Sequence, residues 1–170
     1  MQRLFFLLTI VAWCAIPSVL VGQDVNDLTA QGDRHVSHGN YADALEAYNE
    51  ALKLDPTSEN LYSKRAFTFS LLKQYEQAVS DYSTLIEMKP TLISAYLSRG
   101  SAFNKLERFK EALQDFNKVI ELDPQNSEAF NNRGWSKKGM GDKEGACQDW
   151  KTSKKMGNSE AKIILKNNQC

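Results

Sequence analysis

The chain has 170 residues, 42% of them hydrophobic and 25% charged, which is enough apolar material to bury a core and excludes a disordered polymer. Its 21 basic and 21 acidic side chains cancel, so no bulk charge selects nucleic acid or an anionic membrane surface as the main partner. The charge is unevenly spread: residues 25–58 hold two bases against six acids, and the chain from Ser127 onward holds nine bases against five acids.

The first element in chain order is "MQRLFFLLTIVAWCAIPSVLVGQD". Arg3 precedes an apolar run from Leu4 to Ile16, Pro17 ends its helical potential, and small or polar residues follow. This is the layout of a secretory signal peptide, residues 1–22, with cleavage expected between Gly22 and Gln23. The rival reading is an uncleaved anchor, since Leu4 to Val21 is just long enough to span a bilayer. Cys14 follows Trp13 rather than a small residue, which argues against a lipidation site. Removal of the segment leaves two cysteines, Cys147 and Cys170, and an exported chain can oxidise such a pair.

From Val25 onward the chain repeats itself. "YADALEAYNEALKLDP" begins at Tyr41, "YEQAVSDYSTLIEMKP" at Tyr75 and "FKEALQDFNKVIELDP" at Phe109, a spacing of 34 residues each time with no insertion. A fixed period of this size marks stacked repeats. Within the window 59–92, apolar residues recur at helical spacing in two stretches, with Lys73 and Gln74 marking a turn between them. Each unit therefore reads as a helix hairpin. Pro56, Pro90 and Pro124 stop the second helices, because proline lacks an N–H and clashes with the preceding turn. The windows are 25–58, 59–92, 93–126 and 127–158.

Particular places in the period have particular physical roles. Gly32, Ala66, Gly100 and Gly134 share one place, and Ala44, Ala78, Ala112 and Ala146 another; small residues there let two helix backbones approach. Tyr48, Tyr82, Phe116 and Trp150 supply a large aromatic, and Leu28, Tyr62, Tyr96 and Phe130 open each first helix, filling the space between hairpins. The fourth unit departs from the pattern. Lys137 stands where Phe69 and Phe103 would predict an aromatic, Lys143 replaces Tyr41, Tyr75 and Phe109, and no proline follows Met156. "NSEAKIILKN" at 158–167 then echoes "NSEAFNNRG" at 126–134, so residues 159–170 are expected to form a lone capping helix.

On these residues the chain resembles the tetratricopeptide repeat (TPR) family from about Val25 to its end. The resemblance implies an all-α fold, a right-handed solenoid of four helix-turn-helix hairpins plus the capping helix, with the first helices lining a concave face that holds an extended peptide or a partner's helix.

Chemistry-bearing patterns are few. His35 and His38 have no further ligand near them in the pattern, and no nucleophile motif or phosphate loop is present, so neither metal, cofactor nor catalysis is expected. Arg65, Arg99 and Arg133 recur with Asp81, Asp115 and Asp149 at the repeat period, and the first unit lacks both partners together, with Gln31 and Ala47 instead. Joint presence and joint absence point to structural ion pairs inside each hairpin. One branch of the family grips a C-terminal carboxylate with lysines, asparagines and an arginine. The matching places here hold Thr29, Asp33, Lys64, Ser94 and Ser98, and a frame one unit later holds Ser63, Phe67, Ser98, Glu128 and Asn132. Neither concentrates positive charge, which disfavours a carboxylate clamp.

The residues expected on the concave face are Lys64, Phe67, Leu71, Leu97, Ser98, Asn104, Asn131, Asn132 and Trp135. Asparagine amides can pair with a peptide backbone, and the aromatics offer flat apolar surface. The alternative is a solvated polar face whose aromatics serve the neighbouring hairpin. The function expected is a non-enzymatic adaptor or assembly factor, exported, binding a protein or peptide. A self-associating solenoid with oppositely charged ends is the second reading, and membrane association is expected only if the N-terminal segment is retained. Cys147 and Cys170 fall at similar heights on antiparallel helices, so a disulfide is geometrically open to them. Cys147 as a small apolar residue and Cys170 as a free thiol is the other reading.

Overall fold

The computed structural model describes residues 24–170, so the signal-peptide reading and its cleavage point lie outside the described residues. Among the described residues there are nine α-helices and no strand: α1 Val25–Ser37, α2 Tyr41–Leu54, α3 Glu59–Leu71, α4 Tyr75–Met88, α5 Ile93–Lys105, α6 Phe109–Leu122, α7 Ser127–Gly139, α8 Lys143–Lys155 and α9 Ser159–Asn167. None is long and apolar enough to cross a membrane. Each helix packs on the one before it and the one after it, and α5 also touches α7. The described residues thus form an all-α solenoid of four hairpins followed by a ninth helix.

The helix boundaries have local causes. Pro56, Pro90 and Pro124 each stand two residues beyond the last residue of α2, α4 and α6, where a further turn would need their missing N–H. The hairpin turns all demand a left-handed residue at one place of the period. Gly39 (φ 78°) and Gly141 (φ 88°) supply it freely, whereas Lys73 (φ 58°) and Glu107 (φ 59°) hold the same conformation at a steric cost. Asn126 and Asn158, the repeated asparagine of "NSEA", each cap their helix by accepting from the backbone N–H three residues on, at 3.0 and 3.1 Å.

The core runs along the array as a series of small clusters. Ala44, Ala78, Ala112 and Ala146 are completely buried, and the aromatics Tyr48, Tyr82, Phe116 and Trp150 are buried beside them. The glycines opposite are there because nothing larger fits. A Cβ on Gly32 would meet the Tyr48 ring at 2.4 Å, and one on Gly100 would meet Phe116 at 2.9 Å. In the second unit Ala66 sits against Tyr82, so one methyl is accommodated there.

Candidate functional site

Three arginines tie the hairpins together. Arg65, Arg99 and Arg133 each grip a carboxylate in their own hairpin with two bonds, to Asp81 at 2.8 and 2.7 Å, Asp115 at 2.9 and 2.7 Å, and Asp149 at 2.8 and 2.7 Å. The three carboxylates are buried. The third guanidinium nitrogen reaches back to the preceding hairpin, to Asn49 at 2.7 Å, Ser83 at 3.0 Å and Asn117 at 2.7 Å. These acceptors also recur every 34 residues, a signal the varied residue types conceal. In the first unit Gln31 and Ala47 stand at the places of the arginine and the aspartate, so both partners of the pair are missing together there. The hydrogen bonds that Arg65 and Arg99 donate to Asp81 and Asp115 push both guanidinium groups upward against a smaller opposing effect of burial, while burial pushes the Asp115 carboxyl up against the pull of Arg99. Arg65 and Arg99 also lie over Tyr62 and Phe69, and over Tyr96 and Phe103. In the fourth unit Lys137 gives up the second ring and bonds Asp149 itself at 2.9 Å.

The ladder stops at the end of the array. One period beyond Asn117 stands Lys151, a donor that cannot accept from an arginine, and the place of Arg133 in the shortened last unit holds Leu165.

The face formed by α3, α5 and α7 carries three cavities. A small one of about 170 Å³ is lined by Ser63, Phe67, Tyr82 and Ser98 among others. A second of about 300 Å³ lies between Phe67, Tyr75, Leu97, Ser98, Ser101 and Lys105, with Glu128 at its edge. The third and largest, about 660 Å³, is bounded by Phe109, Asn132, Trp135, Lys138, Gly139 and Glu160. The last two are one pocket written twice. Moving Tyr75, Ser98, Ser101 and Lys105 forward by one period gives Phe109, Asn132, Trp135 and Gly139, and Glu128 maps onto Glu160 after the two-residue shortening. Gly139 in place of Lys105 removes a side chain from the wall, and a Cβ there would meet the Phe109 ring at 2.5 Å. Gly139 is therefore the end of α7 and part of the larger cavity, rather than part of the hairpin turn, which Gly141 makes.

The nine expected face residues separate on inspection of their partners. Phe67, 53% exposed, and Trp135, 38% exposed, are presented at the cavities, as are Leu97, Ser98 and Asn132. Leu71 is exposed at the end of α3 but lines none of the three cavities. Lys64 is bonded to Asp33 at 2.8 and 2.9 Å and so joins the first two hairpins. Asn104 is also occupied, donating to the Asn132 carbonyl and accepting from Ser136. Asn131 corrects the sequence reading: it is 2% exposed, donates to Glu160 at 3.3 Å, and its Oδ1 has no partner. Glu160 at the start of α9 reaches this side of α7, and the backbone carbonyl of Asn131 accepts from Trp150 Nε1 of α8. Missing from the sequence reading were Phe109, Ser101, Lys105, Lys138, Gly139 and Glu160, although their repetition of the preceding unit's pocket was in principle visible.

Asp33, bonded also by Tyr48 at 2.7 Å, experiences an upward push from burial that hydrogen bonds from Lys64 and Tyr48 and the charge of Lys64 outweigh, so its carboxyl titrates below its ordinary value. His35 faces Asp43 at 3.8 Å and His38 meets the Arg34 carbonyl, so the two rings do not converge. Cys147 and Cys170 form a disulfide, with Cα atoms 5.5 Å apart, linking the start of α8 to the chain end beyond α9.

Comparisons with known proteins agree with this architecture. Four family profiles match: a TPR repeat at residues 32–73 and tetratricopeptide repeats at 60–92, 93–126 and 116–148. Small glutamine-rich tetratricopeptide repeat-containing protein 2 of Saccharomyces cerevisiae is 39% identical over 51 residues, 30% of this chain and only 15% of that protein. Among solved structures, MamA (residues 41 to the end) from Desulfovibrio magneticus RS-1 superposes with a TM-score of 0.76 at 20% identity over 81% of this chain and 78% of that one. YrrB, described as a TPR protein with an unusual peptide-binding site, superposes with a TM-score of 0.77 at 19% identity over 84% and 74%. At such identities these two share the fold. With profiles that run on from residue 32 to 148 and hairpins that repeat every 34 residues, the chain belongs to the tetratricopeptide repeat family of protein-interaction modules.

Proposed function

We propose that this protein is an exported, non-enzymatic adaptor or assembly factor that holds an extended segment of a partner against the face of α3, α5 and α7. The observation that carries the reading is the exposure of Phe67 and Trp135, two large rings beside cavities that repeat one period apart. A core role would bury them, and flat apolar surface flanked by serine and asparagine suits a peptide with alternating side chains and a free backbone. YrrB supports it as a structural neighbour described by its own peptide-binding site. A carboxylate clamp is not part of the proposal, because Lys64, the one cation at the matching places of the first frame, is held by Asp33. Export rests on the N-terminal segment alone, with membrane anchoring as its alternative.

Site-specific photocrosslinking tests the reading. A crosslinker at Ser98 or Ser101 should capture the same partner band in the native compartment, and one at Glu87 or Lys110 on the outer helices should not. Capture from the outer positions alone would contradict it.

A second reading has its own observation. Ile163 is 62% exposed between Lys162 and Lys166 at the basic end of the solenoid, while the first unit carries the acidic excess. End-to-end association through these ends would weaken with salt, which sedimentation at low and high ionic strength measures.

A further inference from the structure

The cavity at Trp135 is bounded at Glu160 by an element that has little to hold it. Helix α9 has nine residues, below the length at which an isolated helix persists in water, and it buries only Ala161 and Ile164. Its N-terminal end is anchored by the Asn158 cap and the short link to α8. Its C-terminal end is anchored by the bond from Cys170 to Cys147, whose two residues are half-buried and so within reach of a small thiol.

That C-terminal end is wired to the groove. Asn168, two residues before Cys170, accepts from Lys138 Nζ at 2.7 Å. The same ammonium lies 5.0 Å from the centre of the Trp135 ring, the most prominent apolar surface of the cavity. Trp135 in turn packs edge-on against the buried Trp150, with ring centres 5.2 Å apart. The other end of α9 places Glu160 in the cavity wall and against Asn131.

We propose that the Cys147–Cys170 disulfide is a redox-sensitive clasp on this end of the groove. Closed, it keeps the last turn of α9 docked, so that Asn168 holds Lys138 beside Trp135 and the cavity keeps its shape. A dithiol reductant opens it. One thiolate of the dithiol attacks a protein sulfur to form a mixed disulfide, and its second thiolate displaces that sulfur. Two electrons and two protons pass to the protein, leaving Cys147 and Cys170 as thiols and the reductant as a disulfide. The last turn of α9 then frays, Lys138 loses its partner, and the groove binds its segment more weakly. The effect on binding rests on the groove reading proposed above; the fraying does not.

Hydrogen exchange on the full chain, oxidised and reduced, tests the clasp directly. Protection at the amides of Asn168 and Cys170, which bond to the carbonyls of Ile164 and Leu165, should fall by up to about three hundredfold on reduction, the ratio corresponding to the closure entropy of a ring of this size. Trp135 emission should change with it, and the double variant Cys147→Ser/Cys170→Ser should behave as the reduced protein in either condition. For the coupling, the probe is a peptide selected from a random library against the oxidised protein. Its affinity should drop several-fold on reduction, and Asn168→Ala should reproduce that drop with the disulfide intact. Unchanged protection on reduction overturns the clasp, whatever the peptide does. Fraying with unchanged affinity overturns the coupling and leaves the groove standing. If no library peptide binds the oxidised protein, the groove reading fails, and exchange still decides the clasp.

Discussion

Trp150 occupies the space that a side chain on Gly134 would need: a Cβ there would lie 2.4 Å from the indole Nε1. The indole is buried and its N–H is committed to the Asn131 carbonyl at 3.1 Å, so it cannot swing aside without losing that bond. Gly134→Ala should therefore lower stability by about 1–3 kcal/mol, even though alanine is the better helix former. The second unit, which pairs Ala66 with Tyr82, suggests the remedy: adding Trp150→Tyr should recover part of the loss. Thermal melts of the single and double variants check both statements.

The arginine ladder gives a sharper contrast. Arg99→Ala leaves the buried Asp115 carboxylate without its two bonds and should cost about 3–5 kcal/mol, whereas replacing both residues together by Met and Leu should cost much less. Denaturant midpoints for the two variants decide it. Equal losses would mean that the backbone packing around Ala112 and Phe116, and not the ion pair, sets the stability of that hairpin.

Two turns carry avoidable strain. Lys73 and Glu107 hold positive φ where the first and fourth units have glycine. Lys73→Gly and Glu107→Gly should each stabilise the protein by about 1 kcal/mol, because the left-handed conformation costs a branched-out side chain about that much. An unchanged melting temperature in both would remove the strain argument.

Asp33 provides a pH-dependent contribution whose sign follows from its depressed carboxyl. Folding favours the ionised form, so the Lys64 and Tyr48 bonds contribute fully above the ordinary value of 3.8 and are lost as the pH falls through the lower folded value. The difference in melting temperature between the native protein and Asp33→Asn should be constant near neutrality and shrink below about pH 4. A difference that stays constant into strong acid would contradict the assignment.

Much of this was legible from the letters alone, because the repeat period reports helices, turns and the residues that share an environment. Arg65 and Asp81 could be paired from their joint recurrence. Asn131 could not be placed in the same way. It meets Glu160 of α9 and Trp150 of α8, and α9 follows the two-residue shortening that breaks the period, so a place exposed at Ser63 is buried at Asn131. Lys64 and Asn104 were expected to offer polar atoms to a partner, yet those atoms are consumed by Asp33, Asn132 and Ser136, which only side-chain geometry reveals. The larger cavity depends on an absence, Gly139 where the preceding unit has Lys105, and a pattern search for functional groups does not register a missing side chain.

Removal of the exposed rings should separate binding from stability. Phe67→Ala and Trp135→Ala should each weaken a groove peptide by about 2 kcal/mol, near thirtyfold, if they anchor it. Trp135→Ala should cost about 1 kcal/mol of stability through its edge contact with Trp150, and Phe67→Ala less. A large loss of stability with unchanged peptide affinity would place both rings in the core's service.

The central claim is that the face of α3, α5 and α7 is where the partner lies. Amide chemical-shift mapping with a peptide selected from a random library tests it most directly. The perturbed residues should cluster at Phe67, Ser98, Ser101, Asn132 and Trp135, along the two repeated pockets, with α2, α4 and α6 quiet on their outer sides. Perturbations confined to those outer sides, with Phe67 and Trp135 unmoved, would contradict it.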